Sequence, residues 1–181
     1  LFVVFMWSIP SISQPLLLKN AHSHNDYNRE NPLFDAIKLG FKSIEADILL
    51  IENELYVGHD MPIVTKNIKL KSLKQAYLQP LDSLAKQGKG KLYRNTDENL
   101  LLLVDIKTDA VKTLEFLQTQ LLECSDIITH WKEGKKKEGA INVVISGNRS
   151  FAKVMDARVR MVSIDGRPED LGKGYSSEMM P

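Results

Sequence analysis

Two carboxylates stand inside an apolar run of the sequence. Glu45 and Asp47 interrupt the stretch Ser43–Leu50, in which the residues after Ser43 are otherwise apolar. In a β-strand, residues two apart point to the same face, so the two carboxylates would lie side by side. Burying one ionised carboxylate costs several kcal/mol, and a pair costs more because the charges repel each other. A divalent cation would remove this cost; the alternative is that both acids project into water or pair with Lys and Arg.

A third acid follows the most apolar segment of the chain. Leu100–Val104 leads directly into Asp105, and Lys107 shares the face of Asp105 two residues later. The carboxyl ends of parallel strands carry the functional sites of both barrels and open sheets. Asp105 is therefore a third candidate ligand for the same cation, although a simple ion pair with Lys107 would also explain it. Oxygen ligands of this kind favour Mg²⁺ or Ca²⁺ over Zn²⁺.

Three histidines could supply acid–base chemistry near these acids. His22 and His24 lie two residues apart at the end of the first predicted strand. Two histidines at this spacing are harder to explain as structural residues than one. His59 follows a predicted hairpin, and a turn centred on Asn53 would place it opposite Asp47, at roughly 5 Å between Cα atoms. His24 and His59 would then approach the acids from two different strand ends.

The segments that must position these residues alternate between apolar strands and helices. This pattern is typical of parallel strands joined by crossover helices. Strands are predicted at Leu16–His24, Ser43–Ile51 with a hairpin return at Leu55–Val57, Leu100–Thr108, Ile141–Gly147 and Arg160–Asp165. Helices are predicted between Asn31 and Gly40, at Ser72–Gln87 with a break near Pro80, at Ala110–Cys124 and at Phe151–Met155. The lysine-rich run 132–139 is predicted as a solvated turn. Five strands with intervening helices fit an open sheet or the first portion of a (β/α)8 barrel, whose usual length is about 250 residues.

Composition narrows the class of protein. The chain has 181 residues, of which 43% are hydrophobic and 26% charged, as in one ordinary globular domain. Its 24 Lys and Arg residues nearly balance 23 Asp and Glu residues, which argues against a nucleic-acid-binding surface. Cys124 is the only cysteine, so an internal disulfide is excluded. It recurs with Leu117 and Leu121 at helical spacing, which predicts a core position.

The first residues have the pattern of a targeting segment. Leu1–Ile9 is almost entirely apolar, and the small residues Ser11 and Ser13 follow it. This pattern predicts that residues 1–13 are the remnant of a signal peptide cleaved before Gln14, and that the protein is exported to the periplasm or secreted. The alternative is a buried first strand or helix, since the run is too short to span a bilayer. Residues 14–181 would then form the N-terminal portion of one domain.

Four motifs together resemble the superfamily of phosphatidylinositol phospholipase C, glycerophosphodiester phosphodiesterase and sphingomyelinase D. Ser23–Tyr27 resembles the Ser-His-Asn-Thr-Tyr box of animal phospholipases C, in which the histidine is catalytic and the asparagine contacts the metal. Glu45-x-Asp47 is similar to the metal-binding E-x-D of all three groups. Gly58-His59-Asp60 resembles the second catalytic histidine and the His-Asp pair of glycerophosphodiesterases. Asp105-x-Lys107 resembles the D-x-K of sphingomyelinases D, whose acid completes the metal site and whose lysine meets substrate phosphate.

The segment Ala21–Asp60 is most similar to a bacterial and fungal branch of this superfamily that includes a fungal protein of altered mitochondrial inheritance, and the similarity extends more weakly to Asp165–Arg167. The resemblance implies a (β/α)8 barrel, of which this chain covers about the first five strands. It also implies a metal-dependent phosphodiesterase acting on a glycerophosphodiester or phospholipid-type substrate. The implied site has His24 and His59 as catalytic residues, Asn25, Glu45, Asp47 and Asp105 as metal ligands, Lys107 at the substrate phosphate, and His22, Asp60 and Arg29 as accessory residues.

The sequence departs from the superfamily pattern at one point. The His-Arg-Gly of glycerophosphodiesterases is absent, so Arg29 or Arg149 would have to replace its phosphate-binding arginine. Two other functions stay open. His22-x-His24 at a first strand end is the metal motif of amidohydrolases and histidinol-phosphatase-like phosphoesterases, which need further histidines from later strands. A secreted phosphate-ligand-binding module without turnover is the other alternative.

Overall fold

Strand β2 (Phe41–Ile51) is the longest strand of the protein, and it has neighbours on both sides. The computed structural model describes residues 16–62, 70–93 and 96–181. Five strands of the main sheet run parallel, in the order β1 (Leu18–Ser23), β2, β4 (Leu100–Ile106), β7 (Ile141–Gly147) and β9 (Ser163–Ile164). Each of these strands is therefore added beside the preceding one. The result is a mixed α/β fold with a mostly parallel central sheet.

Helices cover one face of this sheet. They are α1 (Phe34–Lys38), α2 (Gln79–Gln87), α3 (Ala110–Glu123) and α4 (Phe151–Met155). Alternate residues of the strands, such as Ile44, Ile48 and Leu102, are fully buried against them. The predicted strand β7 and helices α3 and α4 are confirmed to within one residue. Helix α1 begins later than predicted, because Leu33 has a left-handed φ of 67° that α-helix geometry does not allow.

The helix before Pro80 differs from the prediction of a break. A π-helical turn at Lys74–Leu78 runs directly into α2, and Pro80 lies in the first turn of α2. Proline has no amide hydrogen, so it cannot close the usual bond to the carbonyl four residues earlier. The chain accommodates this by widening one turn, and the helix continues.

The hairpin after β2 is confirmed, but its predicted register is wrong by one residue. Strand β3 (Glu54–Val57) pairs antiparallel with the end of β2, and Ile51 lies opposite Glu54. The turn consists of two residues, Glu52 and Asn53, both at positive φ (47° and 67°), so its centre lies between them instead of on Asn53. The amide of Gly58 consequently donates to the carbonyl of Asp47, at 3.0 Å, in the place predicted for His59.

A small second sheet holds the lysine-rich run. Strands β5 (His130–Lys132), β6 (Lys135–Lys137) and β8 (Val159–Arg160) form it, with β5 in the middle. The lysines thus form an exposed edge strand, where a solvated turn was predicted; charged side chains on an edge discourage pairing with other chains. The predicted strand Arg160–Asp165 is divided between the two sheets, because β8 joins the small sheet and β9 the main one.

Three further predictions concern Cys124, the signal-peptide remnant and membrane-spanning segments. Cys124 is half-buried and packs against the core, and burial raises the pKa of its thiol to about 11, as expected for an unreactive core residue. The predicted signal-peptide remnant, residues 1–13, lies outside the described residues. Within the described ranges, none of the helices has both the length and the apolar character needed to cross a membrane.

Candidate metal centre and active site

Three carboxylates meet at the carboxyl ends of two neighbouring strands. Glu45 and Asp47 lie two residues apart on β2, and Asp47 is in register with Asp105 at the end of β4. Each residue offers an oxygen atom, and these atoms all lie within 4.8 Å of one another. Glu45 is 6% exposed and Asp47 is completely buried. The sequence prediction that these three acids converge is therefore correct in its geometry.

The donor atoms of this triad fit a bound cation. Oδ1 of Asp47 and Oδ1 of Asp105 are buried, and neither has a hydrogen-bond partner. Buried oxygen atoms of this kind are costly unless a charge or a donor satisfies them. All candidate ligand atoms are carboxylate oxygens, which hard divalent cations prefer. The triad of Glu45, Asp47 and Asp105 could therefore hold a metal ion.

Lys107 supplies one positive charge against three carboxylates. Its Nζ lies 3.0 Å from Oδ2 of Asp105 and 3.5 Å from Oδ1 of Asp47. Burial would lower the pKa of Lys107, but the hydrogen bond to Asp105 and the attraction of both aspartates outweigh it, and the pKa is raised. The ammonium group is thus protonated at neutral pH. Lys107 brings one positive charge to three carboxyl groups, so the site could also accommodate a divalent cation.

Tyr27 fixes the orientation of the buried aspartate. Its hydroxyl donates to Oδ2 of Asp47 at 2.7 Å. Burial and the nearby Asp47 carboxylate together raise the pKa of Tyr27, so the phenol keeps the proton that it donates to Asp47. This bond leaves Oδ1 of Asp47 turned toward Asp105 and Lys107. Tyr27 was not predicted as a site residue from the sequence, although it belongs to the motif Ser23–Tyr27.

His22, in β1, and His24, just after its end, occupy different environments. His22 is held at both ring nitrogens, since Nδ1 is 2.8 Å from Oγ of Ser43 and Nε2 is 3.0 Å from Oε2 of Glu45. His24 has a side chain 71% exposed, and its Nε2 lies 3.6 Å from the same Glu45 oxygen. His22 therefore positions Glu45, while His24 keeps a ring nitrogen open to solvent at the edge of the triad. Ser43 was missed in the sequence, although it shares a strand face with Glu45.

His59 and Asp60 lie just beyond the end of β3. Nδ1 of His59 is 2.9 Å from Oδ1 of Asp60, and their side chains are 59% and 89% exposed. The backbone bond between Gly58 and Asp47 holds this segment beside the triad. His59 is therefore next to the site without being paired opposite Asp47. Its catalytic assignment stays a prediction. The metal-ligand assignment of Asn25 also stays a prediction, and the Asn25 side chain forms no hydrogen bond with the three carboxylates.

Gly147 at the end of β7 packs directly against Asp105. A Cβ atom on this residue would lie 2.0 Å from Oδ1 of Asp105, and the residue has a positive φ of 64°. Only glycine fits both conditions. The neighbouring Ser146 is in register with Asp105, and its hydroxyl donates to Oδ2 of Asp165 at 2.8 Å. Polar residues thus form one row across the ends of four strands.

The two arginines considered as phosphate ligands differ in availability. The Arg149 side chain is 6% exposed, and its guanidinium donates to Oδ2 of Asp170 at 3.0 Å. Its charge is therefore already neutralised. Arg29 is exposed after the 3-10 turn Asp26–Asn28 and forms no ion pair with any described acid.

Comparison with known proteins adds an independent line of evidence. Residues 11–165 match the family model described as the AIM6-like phosphodiesterase domain. The chain belongs to this family. It is 30% identical over 196 residues to altered inheritance of mitochondria protein 6 of Kluyveromyces lactis and 29% identical over 181 residues to the homolog of Arthroderma benhamiae, in each case over 88% of this chain. The protein of the same name from Saccharomyces cerevisiae S288c is 30% identical over 145 residues, or 70% of this chain.

These alignments cover only part of the relatives. They extend over 45% of the Kluyveromyces protein, 56% of the Arthroderma protein and 36% of the Saccharomyces protein. The chain therefore spans about half the length, or less, of the curated relatives that it matches. No solved structure matches the chain significantly. The family description names a phosphodiesterase domain.

Proposed function

We propose that this chain carries the metal site and the acid–base residues of a metal-dependent phosphodiesterase of the phospholipase-C-like superfamily. The observation that carries the proposal is the buried triad of Glu45, Asp47 and Asp105, with histidines beside it, in a chain of the AIM6-like phosphodiesterase family. The proposed substrate is a glycerophosphodiester or phospholipid-type molecule, and the proposed metal is Mg²⁺ or Ca²⁺. A bound divalent cation would neutralise charge that develops on the phosphoryl oxygens.

The protein's own residues divide the proton transfers between two imidazoles. His24 keeps a ring nitrogen open to solvent beside Glu45, and His59 is oriented by Asp60. One imidazole accepts the proton of the attacking hydroxyl while the other donates a proton to the departing alkoxide. Neither histidine forms a covalent bond. Lys107, held in its charged form by Asp47 and Asp105, adds positive charge near the phosphoryl group.

His22 has a supporting role in this mechanism. Both of its ring nitrogens are occupied, so it has no free nitrogen for proton transfer in this arrangement. It holds the carboxylate of Glu45 in place, as partners of metal ligands commonly do. The attacking hydroxyl belongs to the substrate, which gives a cyclic phosphate product. Substrates with a free hydroxyl beside the phosphodiester are therefore expected to react fastest.

Turnover by histidine variants tests this division of roles. In the full-length protein, His24→Ala and His59→Ala should each lower turnover of glycerophosphocholine, which has a free hydroxyl beside the phosphodiester and an alkoxide leaving group, by roughly a hundred- to ten-thousandfold while metal binding survives. Phosphorus NMR follows the substrate and the cyclic phosphate product. His22→Ala should lower it less. His130→Ala is the control, because His130 belongs to the small sheet and contacts the Ile128 carbonyl. Near-normal activity of both His24→Ala and His59→Ala would refute the mechanism, and a wild type that binds metal without turnover would favour a binding module.

The proposal extends to the whole barrel. In a (β/α)8 barrel, parallel strands follow one another around the wall in sequence order, as β1, β2, β4, β7 and β9 do here. The sheet face that carries the triad is also less covered than the helix-packed face, since Leu101, Leu103 and Asn142 remain partly exposed on it. A barrel would enclose these residues in its interior. We therefore propose that the chain supplies the first five strands of such a barrel.

Export remains part of the proposal. The apolar start of the sequence and the small residues Ser11 and Ser13 support a cleavage site before Gln14. Mass spectrometry of protein expressed from the complete gene should find a mature terminus at or near Gln14. Recovery of uncleaved protein in the cytoplasm would contradict it.

A further inference from the structure

A groove begins beside the carboxylate triad and follows the ends of β4 and β7. It has a volume of about 450 Å³ and is lined by Thr108, Asp109, Gly147, Asn148, Arg149 and Arg167, among others. Gly147 connects the groove to the triad, because its Cα is in direct contact with the Asp105 carboxylate. A phosphodiester held at the triad would therefore extend its unliganded oxygens or its organic group into this groove.

The two arginines of the groove are not equivalent. Arg149 is buried and is held by Asp170, by the carbonyl of Asp165 and by the ring of Phe151, 5.1 Å from its guanidinium carbon. Arg167 is exposed and makes no ion pair with an acid anywhere in the described part of the chain. Arg167 lies beside the groove, and no carboxylate balances its positive charge, so its guanidinium is available to bind an anionic group there.

Arg167 is nevertheless held in a defined place. Its Nη2 donates to the carbonyl of Gly147 at 2.6 Å, which ties the guanidinium to the wall of the groove next to Asp105. Its backbone amide donates to Oδ2 of Asp170 at 3.1 Å, which fixes the base of the side chain. One guanidinium N–H is used, and the other donors remain free to form a bidentate pair with two phosphoryl oxygens.

Arg167 and Lys107 occupy matching positions on either side of β7. Lys107 follows Asp105 by two residues, and Arg167 follows Asp165 by two residues. Ser146 lies between the two acids, in register with Asp105 and hydrogen-bonded to Asp165. Lys107 is paired with two carboxylates of the triad, whereas Arg167 is paired with a neutral carbonyl. Of these two side chains, Arg167 is the one whose positive charge is not balanced by a carboxylate, so it can bind a substrate phosphate.

We propose that Arg167 is the phosphate-binding arginine of this site, and that it binds the non-bridging oxygens of the substrate phosphodiester in the groove beside Asp105. The inference rests on the proposed phosphodiesterase function and names the residue that replaces the arginine missing after His24. It assigns substrate binding to Arg167, and a positioning role within the fold to Arg149.

Binding of inorganic phosphate and turnover together test the assignment. The full-length protein is titrated with phosphate by calorimetry at saturating Mg²⁺, as wild type, Arg167→Gln, Arg167→Lys and the control Arg158→Gln. Arg158 is an exposed arginine outside the groove and makes no ion pair in the described residues. Arg167→Gln should weaken phosphate binding and raise KM for glycerophosphocholine by about tenfold or more, with Mg²⁺ affinity unchanged. Arg167→Lys should recover part of the loss, and Arg158→Gln should match the wild type.

The outcomes separate this inference from the proposed function. Phosphate affinity and KM that are unaltered in Arg167→Gln would overturn the assignment, and so would a wild type that binds no phosphate. A comparable loss in Arg158→Gln would also overturn it, because the effect would then be one of net charge. If the wild type bound phosphate through Arg167 but hydrolysed no phosphodiester, the arginine assignment would stand and the proposed function would fail.

Discussion

Asp47 is the residue at which most contacts of the site meet. It is completely buried, its Oδ2 accepts from Tyr27, and Lys107 lies 3.5 Å from its Oδ1. Its carbonyl accepts from Gly58, so the same residue also fixes the segment that carries His59. A buried carboxylate without partners would be unfavourable. The two carboxylate oxygens of Asp47 have different neighbours and therefore different roles. The geometry leaves one oxygen for a cation and uses the other for orientation.

Gly147→Ala should disturb the metal site, because the added Cβ would meet the Asp105 carboxylate and, at 2.5 Å, the carbonyl oxygen of Ile106. The added Cβ would lie 2.0 Å from Oδ1 of Asp105, so the carboxylate must move, and metal affinity should fall by about tenfold or more. Gly134→Ala is a matched control, since Gly134 also has a positive φ (72°) but has no atom within 4 Å of the new Cβ. Backbone strain should cost both variants about 1–2 kcal/mol of stability, and Gly147→Ala should lose more than Gly134→Ala because its Cβ also meets the Ile106 carbonyl oxygen. Calorimetric titration with Mg²⁺ or Ca²⁺ distinguishes them, and equal metal affinity in the two variants would contradict the role given to Gly147.

At the scale of elements, Asp26 joins three parts of the chain. Its buried carboxylate accepts hydrogen bonds from the Ser23 hydroxyl at the end of β1, from the Leu33 amide before α1 and from the Tyr77 hydroxyl in the π-helical turn. The loop between β1 and α1 carries Asn25 and Tyr27. Asp26 therefore sets the position of Tyr27, which donates to Asp47 of the triad, although Asp26 does not contact the triad itself.

Asp26→Ala should destabilise the fold by about 3 kcal/mol or more, because three donors lose a charged acceptor and Tyr77 is fully buried. Tyr77→Phe should cost about 1–2 kcal/mol, and the double variant less than the sum of the two. Asp156→Ala, which removes an exposed acid after α4, is the control and should change stability by less than about 0.5 kcal/mol. Urea unfolding measures all four variants. A loss in Asp26→Ala no larger than that in Asp156→Ala would show that the loop is held in another way.

The same elements show what could be predicted from the sequence. Strands β2, β4 and β7 and helix α3 are apolar at the period of their own structure, and local pattern was enough to find them. The convergence of Glu45, Asp47 and Asp105 followed from the rule that parallel strands end at one edge. The hairpin register could not be found in this way, because it depends on whether Glu52 adopts a positive φ, which is uncommon for glutamate.

Other parts of the site depended on contacts between distant segments. The pairing of His22 with Ser43 and Glu45 requires the parallel register of β1 and β2, which no local pattern specifies. The roles of Asp26 and Gly147 depend on the loop and strand that pack against them. The lysines of β6 lack the apolar alternation of a strand, and only pairing with β5 makes them one.

At the scale of the whole molecule, the two faces of the main sheet differ. Ile44, Val104 and Ile145 on the helix-covered face are fully buried, whereas Leu101 and Leu103 on the triad face are partly exposed. Partly exposed leucines on a central strand are unusual in a parallel sheet, because both faces of such a sheet are normally covered. The proposed barrel accounts for them, because further strands would enclose this face.

Thiol labelling tests this enclosure. In the full-length protein with Cys124→Ala as background, Leu103→Cys should react with a maleimide at least about a hundredfold more slowly than Lys136→Cys, because buried thiols are shielded from reagent. Lys136 lies on the exposed edge strand β6 and supplies the reactive reference. Similar reaction rates at the two positions would mean that the triad face is open, and the barrel proposal would be wrong.

Metal binding is the central claim, and calorimetric titration of the full-length protein with Mg²⁺ and with Ca²⁺ tests it most directly. The wild type should bind one divalent cation per chain, and Glu45→Gln/Asp47→Asn should lower the affinity by about a hundredfold or more, since two charged ligands are lost. Glu52→Gln/Glu133→Gln removes the same number of acids from two exposed turns and should bind as the wild type does. Undiminished affinity in Glu45→Gln/Asp47→Asn would contradict the assignment of the carboxylate triad as the metal centre.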